Sequence, residues 1–178
     1  MKRFFVAVEL PRKTQESLKR ITYKLSSHMP LIKWEMVTKY HIMLKLFKTT
    51  PVAGRFIDSA LREKLAKYPA FPVSFTQLSV LVGKTTCVIA EVERDEMLMR
   101  LYHKVSNCLI EQGMKRDKHA YYPHVTMGKT KEKTMNEVPQ RLMSRWDLPE
   151  FTATAVSLFE SRGLNATRYI RLASYPLV

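Results

Sequence analysis

Glycine is scarce in this 178-residue chain, which has only five. That leaves no glycine-rich loop to cradle phosphates, so no ATP requirement is expected. The two cysteines, Cys87 and Cys108, are too few for a disulfide framework or a cysteine-rich zinc site. Both fall in apolar patterns and are expected to be buried fillers. Acidic residues are also few, 16 against 30 Lys and Arg. No His-x-x-x-His pair or His/Asp cluster has ligand spacing, so neither a metal nor any other cofactor is expected. No apolar run approaches the roughly 20 residues needed to span a bilayer. The opening Met1-Lys2-Arg3-Phe4-Phe5-Val6-Ala7-Val8 has a basic start, but its apolar run stops at Glu9 and no small-residue cleavage site follows. It is expected to be the first strand of a cytoplasmic protein, not a signal peptide.

What the chain does have is charge of one sign and ample core material. The formal net charge is +14 with no long Lys/Arg tract, so the excess is spread over a folded surface. Such a surface favours a polyanionic partner, nucleic acid or an anionic membrane, although a basic proteome produces the same bias. With 46% apolar residues the chain can bury a proper core and is sized for one domain over residues 1–178, built as two fused lobes.

Short β-branched or aromatic runs bounded by turn residues predict strands over Arg3–Glu9, His41–Phe47, Val73–Val82, Thr86–Val92, His124–Lys129, Phe151–Glu160 and Arg168–Ala173. Apolar stripes at helical spacing predict helices over Thr14–Ser27, Phe56–Lys67, Asp95–Gln112 and Met135–Ser144, the third closed by Gly113. Loops are expected at Thr49–Gly54 and Gly113–Tyr122. Regular β-helix-β crossovers are too few for a simple parallel sheet, so the class is α+β. An offset of 83 residues carries Val6-Ala7 onto Ile89-Ala90 and His41-Ile42 onto His124-Val125. The expected architecture is therefore bilobal: two pseudo-symmetric lobes, each an antiparallel sheet plus helix, bringing one histidine each to a central cleft.

The two segments are His41-Ile42-Met43-Leu44-Lys45 and His124-Val125-Thr126-Met127-Gly128-Lys129. Alternation along a strand places His41, Met43 and Lys45 on one face, and likewise His124, Thr126 and Gly128. Two histidines across a cleft suit phosphodiester chemistry without a metal. A neutral imidazole takes a proton from the attacking water or hydroxyl, and an imidazolium protonates the departing oxygen. An ordinary pKa of roughly 6.5 lets both forms exist near neutrality. A threonine hydroxyl beside them donates to a non-bridging phosphate oxygen.

These segments resemble the two-histidine phosphoesterases, specifically the bacterial and archaeal RNA 2′,3′-cyclic phosphodiesterases, also called 2′-5′ RNA ligases, which carry paired His-x-Thr/Ser motifs. The likeness extends to Arg3-Phe4-Phe5-Val6-Ala7-Val8-Glu9-Leu10-Pro11, Lys33-Trp34, Pro123-His124-Val125-Thr126-Met127-Gly128-Lys129 and Leu158-Phe159-Glu160-Ser161-Arg162. It implies metal-independent opening of a terminal 2′,3′-cyclic phosphate to a 2′-phosphate, with the reverse 2′-5′ ligation associated with some members. His41, His124 and Thr126 are then the catalytic set. The histidine roles remain open, with His41 as acid and His124 as base the provisional assignment. Met43 departs from the family pattern, because it stands where a Thr or Ser is usual and cannot donate to phosphate. Lys45 is expected either to replace that donor or to reach solvent.

Lys129, Tyr122 and Arg162 are further substrate-binding candidates. Lys115, Arg116, Lys118, Lys131 and Lys133 form an expected basic rim around the second motif, or simply a solvated face. Tyr40, Tyr121 and Tyr122 serve either base stacking or the core, and His119 lies in the loop before the second motif. RNA ends bearing a 2′,3′-cyclic phosphate, those of tRNA fragments among them, are the expected partner, and the protein is expected to be a monomer without membrane or obligate protein partners. The alternatives are a weakened RNA-binding protein of the same fold, for which Met43 speaks, and a phosphodiesterase for a small nucleotide.

Overall fold

A computed structural model describes residues 2–131, 140–144, 146–163 and 168–178. Two four-stranded sheets carry the architecture. The first has strand order β10-β9-β1-β3, from β1 (Lys2–Glu9), β3 (His41–Thr49), β9 (Ala155–Arg162) and β10 (Arg168–Pro176). The second has order β2-β7-β6-β5, from β2 (Lys33–Trp34), β5 (Phe75–Leu81), β6 (Thr86–Val92) and β7 (His124–Thr130). Every pairing within these sheets is antiparallel. Helices α1 (Arg12–Ser26), α2 (Pro51–Leu65) and α3 (Glu96–Glu111) cover them, giving the expected α+β architecture.

Local sequence explains the elements. Phe4 to Val8 is buried throughout because β1 lies inside its sheet with both faces covered, so it shows a continuous apolar run and no alternation. On α1, Leu18, Ile21 and Leu25 turn into the core. Asp95 caps α3 by accepting from the Met97 amide at 2.7 Å. Gly113, at φ 84°, ends it in the left-handed conformation that glycine adopts without strain.

Several boundaries differ from expectation. The run Val73–Val82 divides into β4 (Phe71–Val73) and β5, and Phe151–Glu160 into β8 (Phe151–Ala153) and β9. The breaks match because β4 and β8 leave the main sheets and pair with each other. Thr50 caps α2 by accepting from the Ala53 amide at 3.3 Å, so this helix begins inside the expected loop. Lys33–Trp34, expected only as part of the family likeness, is a strand that crosses to pair with β7. Of the helix expected over Met135–Ser144, Gln140–Met143 is helical (α4), and residues 135–139 lie outside the described residues, as does Lys133.

The internal repeat is tighter than the sequence offset implied. On β1 and β3, Glu9 faces His41, Val8 faces Ile42 and Ala7 faces Met43; a bulge then brings Val6 opposite Lys45. On β6 and β7, Glu91 faces His124, Ala90 faces Val125 and Ile89 faces Thr126; a bulge then brings Val88 opposite Gly128. The histidine strands are related by 83 residues, but their partner strands by 82. Val6-Ala7 therefore corresponds to Val88-Ile89, a one-residue correction to the sequence alignment.

Candidate active site

The bulge decides which side chains share the cleft. An extra residue in one strand reverses the in-and-out alternation beyond it. In β3, His41 and Met43 are half-buried on the cleft face while Ile42 and Leu44 enter the core. Lys45 leaves that face, correcting the expectation that it shares one with His41. Its side chain is 2% exposed, and Nζ donates to Asp117 Oδ2 at 2.8 Å and Ser106 Oγ at 3.4 Å. Tyr102 also donates to Asp117 Oδ2, at 3.1 Å, so the buried ammonium anchors the segment ahead of β7 to α3. In β7 the same bulge puts Lys129, instead of Gly128, beyond His124 and Thr126 on the half-buried face.

The histidines sit on β3 and β7, the strands through which the two sheets meet. Each is tethered two residues back along its own chain. His124 Nδ1 lies 2.7 Å from the Tyr122 carbonyl oxygen, an arrangement in which Nδ1–H donates and Nε2 is left for chemistry. His41 bonds the backbone of Lys39, and because that bond favours the cation, the acceptor is the carbonyl.

Their surroundings differ. His41 stacks on Phe5 at a centroid distance of 4.8 Å, lies 6.3 Å from Phe159 and meets Tyr169 edge-on at 5.5 Å. Burial against these rings pushes its pKa down to about 4, with the charge of His124 adding to the effect and Glu35 opposing it. The equivalent of Phe5 in the second half is Cys87, since Phe5 pairs with Leu46 and Cys87 with Lys129. Among the described residues, the ring nearest His124 is that of Tyr122, at 6.0 Å, and no aromatic floor like that of His41 lies beneath it.

Four acidic or aromatic groups here escaped the sequence reading: Glu9, Glu91, Glu35 and Tyr169. Glu9 accepts from Ser157 Oγ and binds Arg171 at 3.0 Å. Glu91 accepts from Gln77 at 3.1 Å; burial opposes its ionisation, but neighbouring donors and the charge of His124 hold its pKa below the usual carboxylate range. Both glutamates close similar short motifs, Val-Ala-Val-Glu and Val-Ile-Ala-Glu, a signal visible in the chain. Glu35 bridges Lys129 at 2.5 Å and Lys39 at 3.2 Å. Burial works against its charge, yet these two ammonium groups keep the carboxyl below its ordinary range. Lys39 in turn lies over the Tyr169 ring at 5.3 Å.

A cleft of about 430 Å³ opens beside His124, between Met43, Leu44 and Leu46 of β3 and the segment Asp117–Tyr122. Its walls include His119, Lys118, Tyr121 and Tyr122. Tyr122 is 41% exposed, whereas Tyr121 stacks flat on Tyr102 at 4.0 Å and Tyr40 is buried. Lys115, Arg116, Lys118 and Lys131 are exposed. Arg162 stands apart: it is bound at 2.6 Å to Glu160, which also holds Lys2 and lines a separate recess with Arg55 of α2. Glu160 pairs opposite Phe4, on the sheet face away from His41. Among the described residues, no three His, Cys, Asp or Glu side chains are grouped to hold a metal ion. No described helix is long and apolar enough to cross a membrane.

The sequence pattern of the 2′-5′ RNA ligase superfamily matches residues 40–165, more than half of the chain. An RNA 2′,3′-cyclic phosphodiesterase of Geobacillus stearothermophilus is 24% identical over 98% of this chain, which spans 57% of that protein's length. Among solved structures, Escherichia coli LigT complexed with 3′-AMP superposes with a TM-score of 0.79 at 14% identity, covering 99% of this chain and 98% of LigT. A Thermus thermophilus protein superposes with a TM-score of 0.82 at 19% identity, covering 98% and 97%. At these identities the structural likenesses establish the fold.

Proposed function

The chain belongs to the 2′-5′ RNA ligase superfamily, and from that premise we propose that it opens terminal 2′,3′-cyclic phosphates of RNA by acid–base catalysis between His41 and His124. The observation that carries this reading is the repeated strand pair, in which two bulged ladders hold the two histidines in equivalent positions. The charge of +14 and the exposed lysines beside the cleft support an RNA substrate.

The protonation state of His41 favours the reverse of the provisional role assignment. With a pKa near 4 it is the neutral imidazole at neutrality and suits the base. In this scheme His41 takes a proton from water as the water oxygen bonds to phosphorus. The P–O3′ bond breaks, and the His124 imidazolium gives its proton to O3′, leaving a 2′-phosphate and a 3′-hydroxyl. Thr126 donates its hydroxyl hydrogen to a non-bridging oxygen. A 5′-hydroxyl replacing water would form a 2′-5′ phosphodiester by the same steps.

Met43 favours a second reading, a weakened enzyme that chiefly binds RNA. It occupies the place equivalent to Thr126, so the first half has no hydroxyl at that position. Hydrolysis of a short RNA ending in a 2′,3′-cyclic phosphate, in EDTA, separates the two. Turnover to the 2′-phosphate, lost in His41→Ala and in His124→Ala, supports the enzyme. Tight binding without turnover supports the RNA-binding protein.

A further inference from the structure

The outer stripe of α1 is built differently from an ordinary solvated helix face. Glu16, Lys19, Arg20, Tyr23 and Lys24 recur at helical spacing and line a surface trough of about 550 Å³. Its one acid, Glu16, is taken by Arg12 at 2.8 Å, so the cations of Lys19, Arg20 and Lys24 are not neutralised by it. Among the described residues none of these three enters an ion pair. Tyr23 stands out from the helix with 82% of its surface exposed.

This trough continues into a second of about 480 Å³, which shares Lys19 and Tyr23 and runs over Trp34, Met36 and Val37 to Glu35 and Thr38. Met36 is 63% exposed along it. The inner end reaches the catalytic surroundings by direct contacts: Glu35 binds Lys39, Lys39 covers Tyr169, and Tyr169 touches His41. The helix is also tied to the start of β3, because the Tyr40 hydroxyl hydrogen-bonds Thr22.

We propose that this continuous trough, from Trp34 and Met36 across to Tyr23 and Lys24, binds the single-stranded RNA that leads into the active site. The proposal rests on the reading of that site as one for RNA ends. A nucleotide with a 2′,3′-cyclic phosphate ends its chain, so the strand continues only in the 5′ direction and leaves the cleft by one exit. The recess beside Met43 is backed by the Lys45–Asp117 anchor and suits the terminal nucleoside. Glu35, held by Lys39 and Lys129 beside the histidines, lines the trough that continues onto α1. There a flat exposed tyrosine offers a base a stacking surface, and three cations flank it for the phosphates. From Glu16 to Lys24 the stripe adds about 12 Å to the path.

Two substrates ending in a 2′,3′-cyclic phosphate test this, a dinucleotide and a longer single strand, with wild type, Tyr23→Ala and the double variant Lys19→Ser/Lys24→Ser. All three side chains are exposed, so folding is retained. The expected result is unchanged kcat and KM for the dinucleotide in every protein. KM for the longer RNA rises about five- to 100-fold in Tyr23→Ala, the range a lost base stack implies. In the double variant, the slope of log affinity against log salt for the longer strand becomes shallower by about 1.4, roughly 0.7 per lost charge. Equal KM and equal affinity for the longer RNA in wild type and variants overturn the proposal, as does loss of binding to an acidic peptide with RNA binding intact. If wild type turns over neither substrate, the reading of the catalytic site fails. The trough is then still decided by fluorescence anisotropy of the longer strand, where lower affinity in Tyr23→Ala supports it and equal affinity overturns it.

Discussion

Replacing the leaving group separates the two histidines by role. Burial against Phe5, Phe159 and Tyr169 holds the His41 pKa at about 4. At pH 7 only about one molecule in a thousand then carries a cationic His41, against about one in four at the ordinary value of 6.5. So rare a proton makes a poor acid and leaves a ready base. The perturbation is a 3′-deoxynucleoside 2′-(para-nitrophenyl phosphate), in which nitrophenolate replaces the 3′-oxygen and departs without being protonated. General acid or base catalysis contributes about 10²–10⁴ in rate. On an RNA cyclic phosphate, His41→Ala and His124→Ala both lose a factor in that range. On the aryl ester, His124→Ala returns to within about tenfold of wild type while His41→Ala keeps its whole loss. Release of nitrophenolate is followed by absorbance in single turnovers. Recovery in His41→Ala but not in His124→Ala would refute the assignment and restore His41 as the acid.

Three other outcomes are expected. Because His41 binds its proton less tightly when folded, the unfolded chain holds more protons between about pH 6.5 and 4, and stability is lost as pH is lowered through that window, by roughly 3 kcal/mol; urea unfolding of wild type and His41→Gln checks this, and parallel decline in both would contradict it. Met43→Thr restores a donor at the position equivalent to Thr126 and is expected to raise kcat on the cyclic phosphate by between about tenfold and the 10²–10³ that such donors supply at most; an unchanged or lower kcat shows that the hydroxyl is not what limits turnover. A Cβ on Gly128 would lie 2.5 Å from Ile32 Cγ2 and 2.8 Å from Trp34 Cε3, so Gly128→Ala is expected to cost about 1–3 kcal/mol by forcing β2 away. Thermal unfolding followed by Trp fluorescence measures that loss, and wild-type stability in the variant would show the contact to be yielding.

The paired histidine strands and the α+β class were legible because both rest on local pattern: apolar runs, turn residues and two matched His-led motifs. The bulges were not. The extra residues, Leu44 and Met127, are apolar like Ile42 and Val125 on the core face, so the local pattern does not mark them. Missing the bulge put Lys45 on the wrong face. The repeat was set at 83 throughout for a different reason: the connection from Glu91 to His124 is one residue longer than that from Glu9 to His41, although matching Val-Ala-Val-Glu to Val-Ile-Ala-Glu would have shown 82 on the partner strands. Lys129 reaches the face of His124 only through the bulge, and its salt bridge to Glu35 depends on β2 crossing from the other half of the chain, a long-range pairing that no local pattern encodes. Arg162 lies with Glu160 on the sheet face away from His41, a placement that closeness to a family motif in sequence does not encode.

The same comparison of halves explains how a near-symmetric fold divides acid from base. Two identical histidine sites would titrate alike, and neither would have a fixed role. Here the backbone repeat is kept, bulge included, while the side chains around it differ. Phe5 lies beneath His41 where the second half has Cys87. The first sheet also continues outward through β9 to β10, which brings Phe159 and Tyr169 against His41. The second sheet ends at β5, and His124 stays on the more open side of the cleft. Desolvation therefore keeps the His41 imidazole neutral. On this argument the extra strand and the Phe5/Cys87 difference are what turn a pair of equivalent positions into two chemically distinct ones. Met43 and Thr126 carry that division on to the phosphate itself.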